Sequence, residues 1–414
     1  MRDFSYLLIA LLALALLLRL DFVFYIVYVV GGVWLLARWM TPRSLAALRV
    51  RRQFTDHAFL GEHVSVSLEL NNPSWFPIPW LRLTETLPLE LAPSEQFNRA
   101  YSLRSRERVV IDYELDCTRR GYYPLGPVRL VVGDLFGFSD AAGREGAQQF
   151  LTVYPRIIPL ARLDLPSRLP HGTLSASRRI FEDPARLRGV REYQPGDNLR
   201  RIHWKASAHA DTLLVKQFSP SISLESMVLL NLNGRDYHRQ RIYSASEWSI
   251  VVAASVATYL ESMRQAVGLA TNGSDPLLSG ANPGAPGSTR YPAAIPPRPG
   301  RQHLMKGLET LARVEVADHE ESFVHWAQRS AVSLAWGTTV LAITPLADET
   351  VCQGFHRLTR AGMNVVLLVT EPYANFGLVR ERARRLGLRA YQTASEEDLT
   401  RLQAASSRPV GVAT

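Results

Sequence analysis

Cysteine is scarce in this chain. Cys117 and Cys352 are the two present among 414 residues, and they fall in segments that read as separate domains, so neither a disulfide framework nor a zinc site is indicated. A reducing compartment fits. Also missing is any Gly-x-x-x-x-Gly-Lys-Ser/Thr run, which removes the phosphate-cradling loop of P-loop ATPases. Long apolar runs are confined to one place. The chain is 47% apolar and 21% charged, which disfavours disorder, collagen-like repeats and a polytopic membrane protein. Acidic residues fall short of basic ones, 38 against 47, for a formal charge of +9. The excess is almost wholly arginine, which GC-rich coding also produces. The aromatic and basic residues at Arg201 to Lys205 are too few for a single-strand platform, so no nucleic acid is expected as a partner.

The one apolar run extends from Phe4 to Ala37, broken at Arg19, Leu20 and Asp21. As a single helix it would measure about 51 Å, well beyond the ~30 Å hydrocarbon core. Two spans fit better, about 4–18 and 22–37, with Arg19 and Asp21 in a turn at the far interface. Residues 1–41 then form a transmembrane helical hairpin. Gly31 and Gly32 permit close helix approach. Arg2 precedes the first span, and Arg38, Arg43, Arg49, Arg51 and Arg52 follow the second, against Arg19 alone in the turn. Both termini and the soluble body are therefore expected in the cytoplasm. A cleaved signal peptide is the competing reading, and no small-x-small site follows Leu18.

Residues 49–160 alternate apolar and polar residues in short runs such as HVSVSLEL (63–70), WLRLTETL (80–87), RVVIDYEL (108–115) and PVRLVV (127–132). This is the pattern of a small antiparallel β-sandwich. In 161–222 an arginine-rich stretch leads to a turn at Pro195-Gly196. Asp197 then stands as a helix N-cap before NLRRIHWKAS, and LLVKQF (213–218) returns to strand.

Residues 223–414 switch to alternating strands and helices. MVLLNL (227–232), AVGLAT (266–271), TVLAIT (339–344) and NVVLLV (364–369) read as buried strands. Ser244 to Glu247 forms a capping box for a helix through Met263, and further helices are predicted near 302–313, 321–335, 349–361 and 376–386. The fold class is thus multidomain α+β: the hairpin, the sandwich-like domain and a doubly wound α/β domain. Residues 271–301 hold seven prolines and five glycines, and are expected to be a long, poorly ordered loop.

At GVREYQPGDNLRRIHWKASA (189–208) the sequence resembles the signature of a bacterial family known as domain of unknown function 58. Gly189, Arg191, Tyr193, Pro195, Gly196, Asp197, Ile202, Trp204 and Ala208 stand in that family's spacing. GEHVSVSLELNN (61–72), RRGYYPLGPVRLVVGDLFGF (119–138) and VYPR (153–156) look like its upstream sheet domain. The resemblance implies an N-terminal membrane hairpin and a C-terminal fold like the von Willebrand factor A domain. It further implies association with a MoxR-type AAA+ ATPase in the assembly or maturation of other complexes.

A metal-binding von Willebrand A domain uses Asp-x-Ser-x-Ser after its first strand, because a hard cation needs clustered oxygens. Here the stretch is Asn231-Leu232-Asn233-Gly234-Arg235, without a leading carboxylate or either hydroxyl. No metal or other cofactor is therefore expected, although Asp236 and Asp348 stand nearby. The signature admits three readings. In the first, Asp197 caps its helix, Arg191 and Arg201 pair with carboxylates, and Trp204 packs onto the sheet. In the second, Arg191, Arg200, Arg201 and Lys205 form a docking surface for an acidic partner or anionic lipid. The third gives His203 and His209, with Asp197 or Asp211, acid/base or metal work, but their spacing matches no strong motif. Cys117, in a predicted strand, is expected to pack. The expectation is a membrane-anchored cytoplasmic scaffold or adaptor, not an enzyme. A divalent-metal-dependent adhesion-like domain is the alternative, and a hydrolase a remote one.

Overall fold

The computed structural model describes residues 21–91, 98–160, 182–194, 202–210, 212–220, 225–279, 291–372 and 376–401, with a few isolated positions before residue 21. The first predicted span lies almost wholly outside the described residues. The chain divides into two compact units, one of Met1–Arg156 with Leu308–Arg313, the other of Ile157–Gly307 with Val314–Thr414.

The first unit opens on helix α1 (Asp21–Ala47), long and apolar enough to cross a membrane from Phe22 onward. Its apolar side chains are not gathered into a core: Phe22, Tyr25, Tyr28, Val29, Leu35 and Leu36 are all exposed. A soluble amphipathic helix would bury such residues along one stripe. The helix does not stop at Ala37 but runs through Pro42, where the Thr41 hydroxyl donates to Ala37 O at 2.8 Å and the Arg43 guanidinium to Trp39 O at 2.9 Å. Those side-chain bonds occupy carbonyls of the turn that a proline disturbs.

Ten strands follow: β1 (Arg49–Gln53), β2 (His57–Phe59), β3 (His63–Asn71), β4 (Ile78–Glu85), β5 (Asn98–Leu103), β6 (Arg108–Asp116), β7 (Gly121–Leu125), β8 (Val128–Gly133), β9 (Asp140–Glu145) and β10 (Gln149–Tyr154). They build sheets ordered β1-β3-β6, β2-β10-β7 and β5-β4-β8-β9. All pairings are antiparallel save β2 with β10. Alternate residues Val64, Val66, Leu68 and Leu70 of β3 meet Leu81 and Leu83 of β4 and Leu130 of β8 in one core, the period-2 pattern of a half-buried strand. Cys117, just beyond β6, is in this core, and burial pushes its thiol up to about 11.

An ion pair is buried in that core. Arg52 of β1 donates through Nε to Glu85 Oε1 of β4 at 2.8 Å, and through Nη1 to Leu125 O at 3.1 Å; Tyr113 of β6 donates to Glu85 Oε2 at 2.5 Å. Both charged side chains are almost fully buried. Gly126 lies with φ +81°, and a Cβ there would stand 2.7 Å from the Arg52 guanidinium, so the glycine makes room for the charge.

In the second unit β11 (Glu182–Glu192) pairs antiparallel with β12 (Leu214–Pro220), joined through α2 (Trp204–Ala210). Beyond them come β13 (Glu225–Leu230), α3 (Ile242–Ser262), β14 (Ala266–Thr271), α4 (Pro276–Ser279), β15 (Ile295–Arg298), α5 (Arg301–Arg313), α6 (Phe323–Ala331), β16 (Thr339–Thr344), α7 (Glu349–Arg360), β17 (Asn364–Val369), α8 (Phe376–Arg385), β18 (Arg389–Gln392) and α9 (Glu396–Arg401). One six-stranded sheet results, ordered β15-β14-β13-β16-β17-β18 and parallel except at β15. Helices α6, α7 and α8 share a core with Met227, Leu229, Val340, Ala342, Val365 and Leu367 on one face. The four central strands β14, β13, β16 and β17 are buried on both faces, as parallel sheets require.

Two expectations fail here. Residues 271–301 are not one irregular loop: α4 and the edge strand β15 lie within them, β15 pairing Ile295 with Leu269 and Arg298 with Val267, while 280–290 lie outside the described residues. Prolines 296 and 297 cannot donate to a ladder, and an edge strand tolerates that. Helix α3 begins at Ile242, before the predicted capping box. The Ser244 hydroxyl donates to Arg241 O rather than accepting from the helix, and Arg241 at the cap position makes no side-chain bond.

Candidate functional site

Two places in the second unit gather the residues singled out by sequence. The first is the signature segment. Gly189, Val190 and Arg191 pair with Gln217, Lys216 and Val215; Tyr193 N donates to Leu213 O, and Ile202 bridges Val215 on the other side of the ribbon. Because Ile202 is extended, the expected helix does not run unbroken through it, and α2 begins at Trp204. His203 opens it: its Nδ1 accepts from Ala206 N at 3.1 Å, and its carbonyl accepts from the Ser207 hydroxyl, whose oxygen accepts in turn from Leu214 N at 2.8 Å. That use of Nδ1 makes His203 a helix cap rather than a free base. Pro195, Gly196, Asp197, Arg200, Arg201 and Asp211 lie outside the described residues.

Trp204 is not packed onto the sheet as the sequence led one to expect. It is 68% exposed, and Lys205 and His209 on the same short helix are exposed as well. The residue that anchors α2 is instead Ser207, buried through the hydroxyl bonds above. Arg191 is partly exposed, its Nη1 donating to Glu192 O at 3.0 Å.

The second place is the carboxyl edge of the parallel sheet, where the strand order reverses between β13 and β16. Ligands of doubly wound sheets bind at such a point. Polar residues stand at or just past the ends of successive strands: Asn231, Asn272, Thr344 and Thr370. Asn231 is 1% exposed. Its Nδ2 donates to Asp236 Oδ2 at 2.8 Å and Thr344 Oγ1 at 3.3 Å; its Oδ1 accepts from Asn233 N and Asn272 Nδ2, both at 3.0 Å. Asn233 is equally committed. Its Oδ1 accepts from His319 N and Arg235 N, and its Nδ2 donates to His319 O. The Tyr237 hydroxyl donates to Asn231 O at 2.6 Å, and burial raises its phenol above the ordinary range. Ser249 and Thr370 share a hydroxyl bond of 2.8 Å.

This donor set does not fit a divalent cation. Such an ion needs anionic oxygens with free lone pairs, and each of the two amide oxygens already accepts two hydrogen bonds, beside an exposed Arg235. Asp348 is absent from the network, since its carboxylate accepts from Val351 N at 2.8 Å as the N-cap of α7. What the arrangement does chemically is to lock the loops at this edge. His319, beside it, is 7% exposed; its ring lies edge-on to Tyr291 with centroids 5.0 Å apart, and among the described residues neither ring nitrogen has a hydrogen-bond partner. Asn272, Thr344, Thr370 and His319 escaped the sequence reading. A polar residue recurring just after each buried run was the signal available for the first three.

The family match falls on this stretch of the chain. Residues 189–332, from β11 through α6, match the family described as "Protein of unknown function DUF58", the one that the signature resembles. The chain is also similar to "Uncharacterized protein YeaD" of Bacillus subtilis (strain 168), 26% identical over 241 residues. The match takes in 56% of this chain and 57% of that protein, so it spans little more than half of the relative. Among solved structures, the CARDB domain of the PF1109 protein from Pyrococcus furiosus aligns at 16% identity and a TM-score of 0.21 over 26% of this chain and 91% of that one. A fragment of Escherichia coli alpha-2-macroglobulin aligns at 16% and 0.23, over 26% of this chain and 16% of the other. Neither score carries weight for the fold.

Proposed function

We propose that the chain is a membrane-anchored scaffold or adaptor that binds other proteins at the cytoplasmic face of a bacterial inner membrane. In this reading two N-terminal spans form a hairpin, the second unit is a von Willebrand A-like domain, and a MoxR-type AAA+ ATPase is the expected partner. The observation that carries it is Trp204, a large aromatic held outward beside Lys205 on a helix fixed from behind by Ser207, within the family-matching stretch. Exposed tryptophan with neighbouring cations is the composition of an interface hot spot. The order β15-β14-β13-β16-β17-β18 with its antiparallel edge supports the von Willebrand A-like reading. The committed amides at the carboxyl edge favour contact through surface residues over contact through a metal.

The test is a crosslinked pull-down of the full chain from membranes, compared with a Trp204→Ala, Lys205→Glu variant of unchanged circular dichroism. Both positions are exposed, so the fold should survive. A MoxR-type ATPase recovered with the parent and lost with the variant supports the proposal; equal recovery moves the docking surface elsewhere, and no specific partner defeats the adaptor reading. The metal-dependent alternative draws on the Asp236 and Thr344 oxygens around Asn231. Magnesium or manganese binding by calorimetry, abolished in Asp236→Asn, would favour it.

A further inference from the structure

One end of the sandwich carries apolar side chains that no core explains. Three loops meet there. Residues 72–77 join β3 to β4 and touch the loop between β5 and β6 through Arg106 N to Ser74 O at 3.2 Å and Asn72 Nδ2 to Arg104 O at 3.0 Å. Loop 134–139 joins β8 to β9 at the same end, since Gly133 pairs with Trp80 near the start of β4. On these loops Trp75 is 74%, Leu135 78% and Phe136 64% exposed. A water-facing loop tip rarely holds such a group.

Helix α1 sets the height of this end. From Phe22 to Trp39 the helix measures about 26 Å, close to the ~30 Å of a hydrocarbon core, so Trp39 sits at the interface. Trp39 meets Phe76 edge-on, with centroids 5.5 Å apart. Trp75 immediately precedes Phe76. Cations accompany the aromatics: Arg43 lies over Trp39 at 4.2 Å and Arg106 over Trp75 at 4.1 Å. Amphipathic rings beside arginine are what the headgroup layer of an anionic membrane accommodates.

We infer that this end of the sandwich is a lipid-binding surface: Trp75, Leu135 and Phe136 insert into the headgroup layer of the membrane that α1 crosses, with Arg43 and Arg106 against anionic headgroups. The inference rests on the membrane-anchored reading. Its test labels single cysteines in the full chain with an environment-sensitive fluorophore, after reconstitution into vesicles of phosphatidylethanolamine and phosphatidylglycerol containing shallow doxyl lipids. Cys117 and Cys352 are buried, and the unsubstituted protein measures their background. Labels go at Leu135→Cys, Trp75→Cys, Val29→Cys within α1, and Leu89→Cys, which is 90% exposed beyond the opposite end of β4. Blue-shifted, quenched emission at 29, 75 and 135, with water-like, unquenched emission at 89, is the expected result. Quenching at 29 with water-like emission at 75 and 135 overturns the lipid surface and leaves the anchor standing. Water-like emission at all four positions overturns both.

Discussion

At the scale of single residues, the polar groups around Glu85 and around Asn231 form two buried hydrogen-bonded sets, and the cost of opening either is predictable. Removing Glu85 leaves Arg52 charged and unpaired inside the sandwich. Glu85→Ala should therefore destabilise it by about 3 to 5 kcal/mol, read as a lower midpoint in urea monitored by near-ultraviolet circular dichroism. Burial, followed by the Glu85 carboxylate, raises the Tyr113 phenol above its ordinary value. A group whose folded-state value is raised contributes stability that is complete below the unfolded value, roughly 10 for tyrosine, and is lost as pH climbs beyond it. Stability should thus fall through the alkaline range, and Tyr113→Phe should flatten that fall. In the second unit, Asn231→Asp exchanges two donated hydrogen bonds for a carboxylate facing Asp236. A loss of about 1 to 3 kcal/mol at neutral pH is expected, checked by thermal melting with and without magnesium; full rescue by the ion would speak for the metal-dependent alternative.

Elements show how much could be read in advance. The strands AVGLAT, TVLAIT and NVVLLV appear with the expected bounds because an uninterrupted apolar run has one way to be buried on both faces. The edge strand β15 was hidden by its prolines, which mark a loop by composition and an edge by geometry. Trp204 departs from expectation for a related reason: an aromatic residue in a helix is usually a packing residue, whereas here Ser207 is the buried residue of α2 and the ring is exposed. The closed amide set at Asn231 was half visible, since the loss of an Asp-x-Ser-x-Ser run can be read in sequence and the partners Asn272 and Thr344, 41 and 113 residues away, cannot. For β15 the structure makes a sharp prediction. A Cβ on Gly268 would stand 2.7 Å from Ile295 O and 2.8 Å from Pro297 N, so Gly268→Ala should push the edge strand off and raise amide exchange along β14, where the parent is protected.

For the whole molecule, the question is whether the chain stays with a membrane. An exposed apolar helix of 27 residues predicts that the protein resists extraction by alkaline carbonate and is released by detergent, as sedimentation and immunoblotting would record. Release by carbonate alone would remove the anchor.

The join between α1 and the sandwich has a mechanical consequence. The helix ends at Ala47, Leu48 is fully buried, and β1 starts at Arg49, so no swivel separates the anchor from the domain. A flexible tether would let the domain tumble and sample every orientation above the bilayer. If α1 spans a bilayer as proposed, the tilt and azimuth of the sandwich are inherited from that helix. Under the proposed adaptor function, a partner approaching in the plane of the membrane would meet the same face each time, and the rotational freedom that docking would otherwise remove would already be gone before the encounter.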